Sequence, residues 1–329
     1  MSILVTGGAG YIGRHTAKRL YESGTALVVL DNLAAGRREE TGWGPFVEGD
    51  IADVELVRRV MREHGVTAVL HLAASAHVGD SMARPDAYYR NNVCGTIALL
   101  EAMRSESVTQ LVFASSCSVY GDSASTALRE DDPETPMSSY GESKLVTERA
   151  LRWYQLAFGL QWVALRYFNV AGAEGSMGED LAGCRRIVPR TVHAALGGGG
   201  ALGVFGVAFD TPDGSAVRDY VHVSDVARAN LLALRYVEQR LPPCTMNIAS
   251  GVGTSVLQIV GEVERQTGQS VAHRFEAARG GDPGCAIADI ARAGRELGWT
   301  PKVSGLQSIV ASVLHSGASR AELQTAMRE

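Results

Sequence analysis

The sequence predicts an α/β protein in which a doubly wound parallel sheet is joined to a smaller, discontinuous C-terminal lobe. Three observations predict this class. The chain opens with a short apolar run that passes through a glycine-rich turn into a helical pattern. Apolar strand patterns then alternate with amphipathic helical patterns up to about residue 171, which is typical of parallel βα units. Beyond that point a long loop and short strand patterns predict a less regular lobe.

Length and composition restrict the function. A chain of 329 residues accommodates about two domains. The formal net charge of -5 provides no basic surface, so we expect no nucleic-acid partner. The five cysteines show no CxxC spacing, which predicts neither a disulfide framework nor a metal site. No apolar run is long enough to span a membrane, and we expect a cytoplasmic protein with no membrane association.

The first strand pattern covers Ser2–Thr6, and a helical pattern follows the glycines as far as Leu20. Glycines in this spacing allow a tight turn, close approach of the backbone to a pyrophosphate and close helix packing, with the helix N-terminus facing the phosphates. The arrangement predicts dinucleotide binding on a Rossmann sheet. The predicted contacts in this turn are Gly7, Gly10, Tyr11, Ile12 and Gly13.

Asp31 closes the second strand, Ala26–Leu30. A carboxylate at this position accepts hydrogen bonds from the adenine ribose and repels a 2′-phosphate, so NAD is predicted rather than NADP. Arg37 and Arg38 argue the other way, because arginines near this strand end can accommodate that phosphate. We interpret both as solvated loop charges, since they follow the strand end by several residues.

The next elements continue the alternation. A third strand places Asp50 toward the adenine, and a fourth strand ends in small residues against which a cofactor can lie. We interpret His71 as a packed core histidine, whereas Asn92 either hydrogen-bonds into the site or caps locally. The predicted elements are Phe46–Ile51, Val54–His64, Ala68–Ala74 and Tyr88–Arg104. Further predicted cofactor contacts are Asn32, Asp50, Ile51, Leu72, Ala73, Ala74, Asn92 and Tyr167.

Tyr140 and Lys144 are four residues apart on a predicted helix, so both side chains reach one substrate. A lysine ammonium favours the phenolate and can lower the pKa of the tyrosine from about 10 toward working pH. Upstream, the apolar strand that starts at Leu111 runs into hydroxyl residues, among them Ser116. Because sites form at the carboxyl ends of such strands, we expect Ser116, Tyr140 and Lys144 to form a catalytic group that acts as a general base.

A sixth strand pattern, Gln161–Val170, carries Asn169 at its end. Short strands at 204–205 and 219–223 flank a turn-forming segment, and helix 224–240 and strand 245–249 return to the large sheet. The predicted cofactor domain therefore comprises residues 1–172 and about 222–250. The remaining segments, about 173–221 and 251–329, form the predicted substrate lobe.

These residues give the chain a resemblance to the extended short-chain dehydrogenase/reductases and, among them, to the UDP-glucose (UDP-galactose) 4-epimerase family. The resemblance covers nearly the whole chain and includes segments of the C-terminal lobe. The segments that carry it are Gly7–Gly13, Tyr88–Thr96, Ser139–Lys144, Arg166–Asn169, Phe209–Gly214 and Val217–Val223.

The resemblance implies a reaction on a UDP-hexose. Tyr140, as phenolate, removes the proton of the sugar 4-hydroxyl, hydride passes from C4 to NAD, and the 4-keto sugar rotates before hydride returns. The resemblance also implies a homodimer that pairs the helices from Tyr88 and Ser143. The substrate contacts that it implies are Ser116, Tyr140, Phe168, Asn169, Arg186, Ile187, Phe205, Arg218, Tyr220, Arg279, Asp282 and Ala286.

Three departures from the family pattern concern the sugar. Ala286 stands at the position that gates the sugar pocket, often a tyrosine in bacterial members. Ala76 replaces a lysine found in some bacterial relatives and leaves His77 beside it, and Arg186 replaces the usual asparagine or histidine. These residues leave a bulkier sugar open as substrate, such as UDP-GlcNAc, UDP-GalNAc or UDP-glucuronate.

Other activities on this fold require different residues. A 4,6-dehydratase carries an acidic pair directly after the catalytic hydroxyl, where this chain has Cys117 and Ser118. A decarboxylase typically carries glutamate at the second of these positions. A nucleotide-sugar reductase and a non-catalytic NAD-sensing protein remain as alternatives, although sensing proteins typically lose the tyrosine or the lysine that this chain retains.

Overall fold

The computed structural model describes residues 1–38, 41–123, 125, 127–278 and 283–326, and of 318–326 only the backbone. Its thirteen described strands are β1 Ser2–Thr6, β2 Ala26–Asp31, β3 Phe46–Glu48, β4 Ala68–His71, β5 Gln110–Ser116, β6 Gln161–Tyr167, β7 Asn169–Ala171, β8 Leu202–Phe205, β9 Val217–His222, β10 Cys244–Ile248, β11 Gly253–Ser255, β12 His273–Glu276 and β13 Cys285–Ala286.

The α-helices described are α1 Tyr11–Glu22, α2 Val54–Glu63, α3 Val78–Ala83, α4 Pro85–Tyr88, α5 Gly95–Ser105, α6 Ser139–Phe158, α7 Ile187–Ala195, α8 Val223–Glu238, α9 Val256–Thr267, α10 Ala291–Leu297 and α11 Leu306–Ala326. A π-helical turn, Tyr89–Cys94, joins α4 to α5, and a 3₁₀ turn, Cys117–Val119, follows β5.

Seven parallel strands form the large sheet in the order β10-β6-β5-β4-β1-β2-β3. Successive side chains of a strand point to opposite faces. Ile3 and Val5 therefore join one buried cluster with α1, α8 and α10, while Leu4 joins a second cluster with α2, α5 and α6. Burial on both faces explains the continuous apolar strand patterns and confirms the predicted doubly wound sheet. The strand order reverses between β1 and β4, which places a ligand site at their carboxyl ends.

The smaller lobe contains two further sheets. Strands β7, β11 and β13 associate with β9, whereas β8 pairs with β12 in a separate two-stranded sheet. Helices α7, α9 and α11 close the lobe over a third apolar cluster that includes Val188, Ile259 and Ile309. The return of the chain to the large sheet is confirmed, because β10 pairs with β6. The domain division itself stays a prediction, and α10, from the predicted lobe, packs on the large sheet through Ala293 and Leu297.

Four predicted elements were wrong in their extent. The fourth strand ends at His71 and not at Ala74, because the residues after His71 leave the sheet and line the cavity. Strand β3 ends at Glu48 and not at Ile51. Two residues later the Asp50 side chain accepts a hydrogen bond from the Ala52 amide at 2.9 Å, which forms a turn. The predicted single helix from Tyr88 is divided by the π-helical turn. The predicted sixth strand is interrupted at Phe168, because the residues after it leave the large sheet and pair with β9 as β7.

Candidate active site

A cavity of about 710 Å³ lies at the carboxyl ends of β1 and β4, where the strand order reverses. This volume is within the usual range of ligand pockets. Most of the predicted cofactor residues line it, and the segment 178–186 covers one side. The predicted residues in the lining are Gly7, Gly10, Tyr11, Ile12, Gly13, Asp31, Asn32, Ile51, Leu72, Ala73, Ala74, Tyr140, Lys144 and Tyr167.

The glycine turn fits a pyrophosphate because its backbone leaves no space for side chains. Gly7 has a φ of +70°, and a Cβ there would lie 2.5 Å from the Ala73 nitrogen. A Cβ on Gly13 would lie 2.1 Å from the Gly7 carbonyl oxygen. Helix α1 begins directly after Gly10. The exposed amides of a helix N-terminus are favourable partners for phosphate, and the cradle therefore suits NAD.

Asp31 ties the end of β2 to this turn. Its carboxylate accepts hydrogen bonds from the Ala9 amide at 3.0 Å and the Leu33 amide at 2.8 Å, and the residue lines the cavity. Asp50 supports a lining residue from behind the cavity wall. Its carboxylate accepts a hydrogen bond from the Asn32 side chain at 2.9 Å, and Asn32 lines the cavity. The carboxylate predicted to meet the adenine ribose is thus held in place by two backbone amides, and its contact with NAD stays a prediction.

Two sequence interpretations at the cofactor end change. Arg37 is more than a solvated loop charge, since it lines the cavity and its guanidinium lies 3.4 Å from Asp180. Asn92 is buried, and its side chain bonds the backbone of Ser75 and the Ser143 hydroxyl at 2.8 to 3.0 Å. Asn92 therefore makes tertiary bonds and not the local cap left open for it, while its contact with the cofactor stays a prediction. Its neighbour Asn91 lines the cavity.

Helix α6 carries the predicted catalytic pair. The Ser138 hydroxyl accepts from the Gly141 amide at 3.1 Å and caps the helix start. Lys144 is only 3% exposed, and its ammonium donates to the Ala114 carbonyl at 2.7 Å. The same nitrogen lies 6.0 Å from the centre of the Tyr140 ring. The structure therefore brings Tyr140 and Lys144 to the strand end that carries Ser116.

The electrostatics of the pair differ from the sequence expectation. Burial raises the pKa of Tyr140 to about 12, although a hydrogen bond between Tyr140 and Ser116 opposes the shift. Burial lowers the pKa of Lys144 to about 7, and the negative charge of Glu148 opposes that shift. The expected lowering of the Tyr140 pKa is thus outweighed by the loss of solvent around the buried hydroxyl. The two pKa values move in directions that disfavour a phenolate beside an ammonium.

The residues implied for the substrate lie in two groups. Arg186 lines the cavity, with its guanidinium 4.8 Å from the Tyr11 ring centre and paired with Glu179. The second group lies on the lobe strands, where Ala286 is opposite Arg218 and Asn169 is opposite Tyr220. Phe168 and Ala286 share a buried cluster, Phe205 ends β8, and Ile187 begins α7. Arg279 and Asp282 lie outside the described residues.

Cys117 connects the second group to the catalytic residues. Burial raises the pKa of this thiol to about 11, while the Arg218 charge lowers it, and the thiol in turn affects Tyr140. His77 lies on the other side of the site, at the cavity lining, and burial and the positive charge of Arg186 lower its pKa. Cys117 therefore lies near both Arg218 and Tyr140.

Sequence reasoning missed several lining residues. Tyr88 lies edge-on to Tyr140, with ring centres 6.3 Å apart, and its hydroxyl donates to the His77 carbonyl at 2.6 Å. The loop after β7 contributes Gly178, Glu179, Asp180, Gly183, Cys184 and Arg185. Arg14 holds this loop over the glycine turn by donating to the carbonyls of Met177 and Gly178. The sequence signal that could have indicated these residues is a polar, glycine-containing loop directly after a strand end.

No helix within the described ranges is long and apolar enough to cross a membrane. Among the same residues, no group of His, Cys, Asp and Glu side chains is placed to hold a metal ion.

The chain belongs to the NAD dependent epimerase/dehydratase family, whose model matches residues 3–249. A UDP-glucose 4-epimerase from Azospirillum brasilense is 44% identical over 315 residues, which cover 95% of this chain and 90% of the relative. The crystal structure of UDP-glucose 4-epimerase from Brucella ovis in complex with NAD is 42% identical, with a TM-score of 0.92, and covers 96% of this chain and 98% of that chain.

The UDP-glucose 4-epimerase from Bifidobacterium longum, solved in complex with NAD+ and UDP, is more distant in sequence but similar in structure. It is 32% identical, with a TM-score of 0.91, and the match covers 98% of this chain and 99% of that chain. The similarity thus extends through both the large sheet and the smaller lobe.

Proposed function

We propose that this protein is an NAD-dependent UDP-hexose 4-epimerase that interconverts UDP-glucose and UDP-galactose. The observation that carries the proposal is the position of Tyr140, which lines the dinucleotide cavity, shares a hydrogen bond with Ser116 and lies one helical turn before Lys144. The family match and the three relatives named as UDP-glucose 4-epimerases support it.

NAD, when bound, supplies the hydride acceptor and a positive charge that favours the phenolate. The glycine turn, Asp31 and Asn32 hold it, as their place in the cavity lining indicates. Tyr140 takes the proton of the sugar 4-hydroxyl and returns it after the ring has turned over. Ser116 orients the Tyr140 hydroxyl, and the Lys144 ammonium stabilises the phenolate.

Inversion at C4 requires that the nucleotide be held firmly while the hexose turns. We assign the firm contacts to the lobe, where Arg218 supplies a planar guanidinium suited to a diphosphate. Asn169, Phe168, Phe205 and Tyr220 belong to the same side of the site. Arg186 and His77 face the hexose from the cavity side.

The dehydratase alternative is disfavoured by the residues next to the catalytic hydroxyl. The Cys117 thiol is partly buried with a raised pKa, and the Ser118 hydroxyl accepts a hydrogen bond from Ser116 at 3.2 Å. Neither side chain is the carboxylate that elimination of the 6-hydroxyl requires. A purified sample offered UDP-, dTDP- and GDP-hexoses should epimerise UDP-galactose fastest, and formation of a 4-keto-6-deoxy product would instead support a dehydratase.

We also propose a homodimer located in the cytoplasm, with the large sheet and the smaller lobe as its cofactor and substrate domains. The outer face of α6 supports the dimer, since Trp153 and Leu156 are 70% and 75% exposed. Such a patch of large apolar side chains is typical of an interface. Light scattering at micromolar concentration should give twice the chain mass of 34.9 kDa. Trp153→Arg should lower the measured mass toward that of the monomer, and a monomeric wild type would contradict the proposal.

Ala286 sets the expected sugar range. It is buried in one cluster with Phe168 and Tyr120 and is not among the residues that line the cavity. The proposal that its methyl group leaves room of about one side chain beside the sugar rests on its place at the family's gate position. We expect kcat/KM for UDP-GlcNAc within about tenfold of that for UDP-glucose, or about 1.4 kcal/mol in transition-state free energy. Ala286→Tyr should reduce the N-acetyl activity selectively.

Ala286→Ser is the matched control, because it leaves the space nearly unchanged. If the wild type does not act on UDP-GlcNAc, or if Ala286→Tyr handles both sugars like the wild type, Ala286 does not limit the pocket. The same kinetic comparison would then be made for Arg186 and His77.

A further inference from the structure

We propose that Glu148 is a positioning residue of the epimerase reaction: it holds a buried negative charge beside the Lys144 ammonium and fixes helix α6 to the two strand ends that form the site. This inference rests on the proposed function, because it assigns a role in the same proton transfer. Glu148 follows Lys144 by four residues on α6, a spacing that places the two side chains on one face of the helix.

The carboxylate of Glu148 joins three elements. Its Oε1 accepts from the Ser115 hydroxyl at 2.5 Å and from Arg166 Nε at 3.0 Å, and its Oε2 accepts from Arg166 Nη2 at 2.6 Å. Ser115 and Arg166 are direct neighbours across β5 and β6. The next residues along these strands are Ser116 and Tyr167, both predicted to contact ligands. One side chain therefore fixes the catalytic helix to the strand ends that carry the other site residues.

The charged side chains that contact Glu148 leave a net negative charge, which Lys144 balances. The Glu148 and Arg166 side chains are both fully buried, and Arg166 also pairs with Glu134, whose side chain is 20% exposed. Two carboxylates thus share one guanidinium, which leaves a net charge of about −1 in a buried triad. An unpaired buried charge is costly, so the triad favours a nearby cation. Lys144, one turn before Glu148, is the cation in position to balance it.

The other groups that face this pair do not supply the missing charge. Arg166 Nη1 donates to the Glu130 carbonyl at 3.3 Å, and the Tyr120 ring packs 4.8 Å from its guanidinium carbon. Arg292, a further cation on this side, is itself paired with the carboxylates of Glu130 at 3.5 Å and Asp131 at 2.7 Å. On the Lys144 side, His71 from β4 is held between the hydroxyls of Thr6 and Thr96, and burial lowers its pKa to about 3, so it is neutral. The Phe113 ring from β5, 4.8 Å from the Lys144 ammonium, is uncharged.

The functional consequence concerns the protonation of the catalytic pair. The reactive form requires a protonated Lys144 and a deprotonated Tyr140. Burial lowers the pKa of Lys144 to about 7 and Glu148 counteracts it, so loss of the Glu148 charge lowers the Lys144 pKa further. Below both Lys144 pKa values the lysine is protonated in either protein, and the reactive population is unchanged. At higher pH the variant has less of the reactive form.

Glu148→Gln tests this prediction, because glutamine has the size of glutamate and can still accept a hydrogen bond from Arg166. Arg166 also keeps its ion pair with Glu134 in this variant. We would measure kcat with UDP-galactose from pH 5.5 to 9. The ratio of variant to wild-type kcat should be highest at the acidic end and fall about tenfold toward the alkaline end, for a shift of about one pH unit. Ser115→Ala, which removes a hydrogen bond to Glu148 but keeps its charge, should change kcat by a factor that does not vary with pH. Glu148→Asp should restore the wild-type profile shape.

Melting temperature and the NAD content of each sample separate this role from misfolding. If Glu148→Gln does not fold, Glu134→Gln provides the test, because it also neutralises the triad from a less buried position and should shift the profile in the same direction. A ratio that is constant across pH would overturn the inference while leaving the epimerase proposal intact. A wild type that does not act on UDP-galactose would instead contradict the proposed function.

Discussion

Tyr140→Phe should reduce kcat by about 10²- to 10⁴-fold, the usual cost of removing a positioned general base. The phenol is the group that contacts the reacting hydroxyl in this account, and Ser116 alone cannot replace it because an ordinary serine hydroxyl is a much weaker acid than tyrosine. The ring should stay in place, since it packs edge-on against Tyr88. KM for UDP-galactose should change little, because the lobe contacts to the nucleotide are unaffected.

Tyr154→Phe is the matched control for this substitution. Tyr154 is on the same helix, and its hydroxyl donates to Glu101 at 2.7 Å, away from the cavity. This variant should keep wild-type kcat. Near-normal turnover by Tyr140→Phe, with NAD still bound, would show that another group removes the proton.

Lys144→Met should reduce kcat by about 10²-fold or more. The substitution removes the ammonium that favours the Tyr140 phenolate but keeps the length of the side chain. Each unit by which the Tyr140 pKa rises reduces the phenolate population tenfold. Folding should be preserved, because Lys144 is 3% exposed and a methionine side chain is better suited to an apolar site than a lysine.

Lys302→Met is the control for a lysine outside the cavity, since Lys302 is exposed and its backbone amide, which the substitution leaves in place, binds Asp225. Kinetic constants, melting temperature and NAD content would be measured for both variants. If Lys144→Met lost NAD but had normal turnover after NAD was added back, Lys144 would be a cofactor contact with no part in catalysis.

The large sheet could be predicted from the sequence because its strands, apart from the edge strand β3, are buried on both faces and are bounded by clear turn or helix signals. The break after Tyr167 could not, because Phe168 and Val170 continue the apolar pattern, and only the pairing of Asn169–Ala171 with β9 separates the two strands. The π-helical turn after Tyr88 could not be predicted either, because no local pattern marks it. Asn92, within this turn, makes tertiary bonds to Ser75 and Ser143.

At the site, local motifs predicted the glycine turn, Asp31 and the Tyr140–Lys144 pair. The pKa values of that pair depend on burial, which a four-residue spacing does not report. The triad of Glu134, Arg166 and Glu148 joins a loop, a strand and a helix, so its members are distant in the sequence and have no motif in common. The cover formed by residues 178–186 is likewise fixed by Arg14, whose partners lie in the other lobe.

The most direct test of the central claim is the fate of the hydrogen at C4. Purified protein, with no NAD added, would be incubated with UDP-galactose carrying deuterium at C4, and the UDP-glucose formed would be examined by mass spectrometry and NMR. Transient oxidation within a closed site predicts that the deuterium is retained at C4 of the product and that no NADH accumulates. Loss of the deuterium to solvent, or NADH formed in proportion to substrate consumed, would contradict the account.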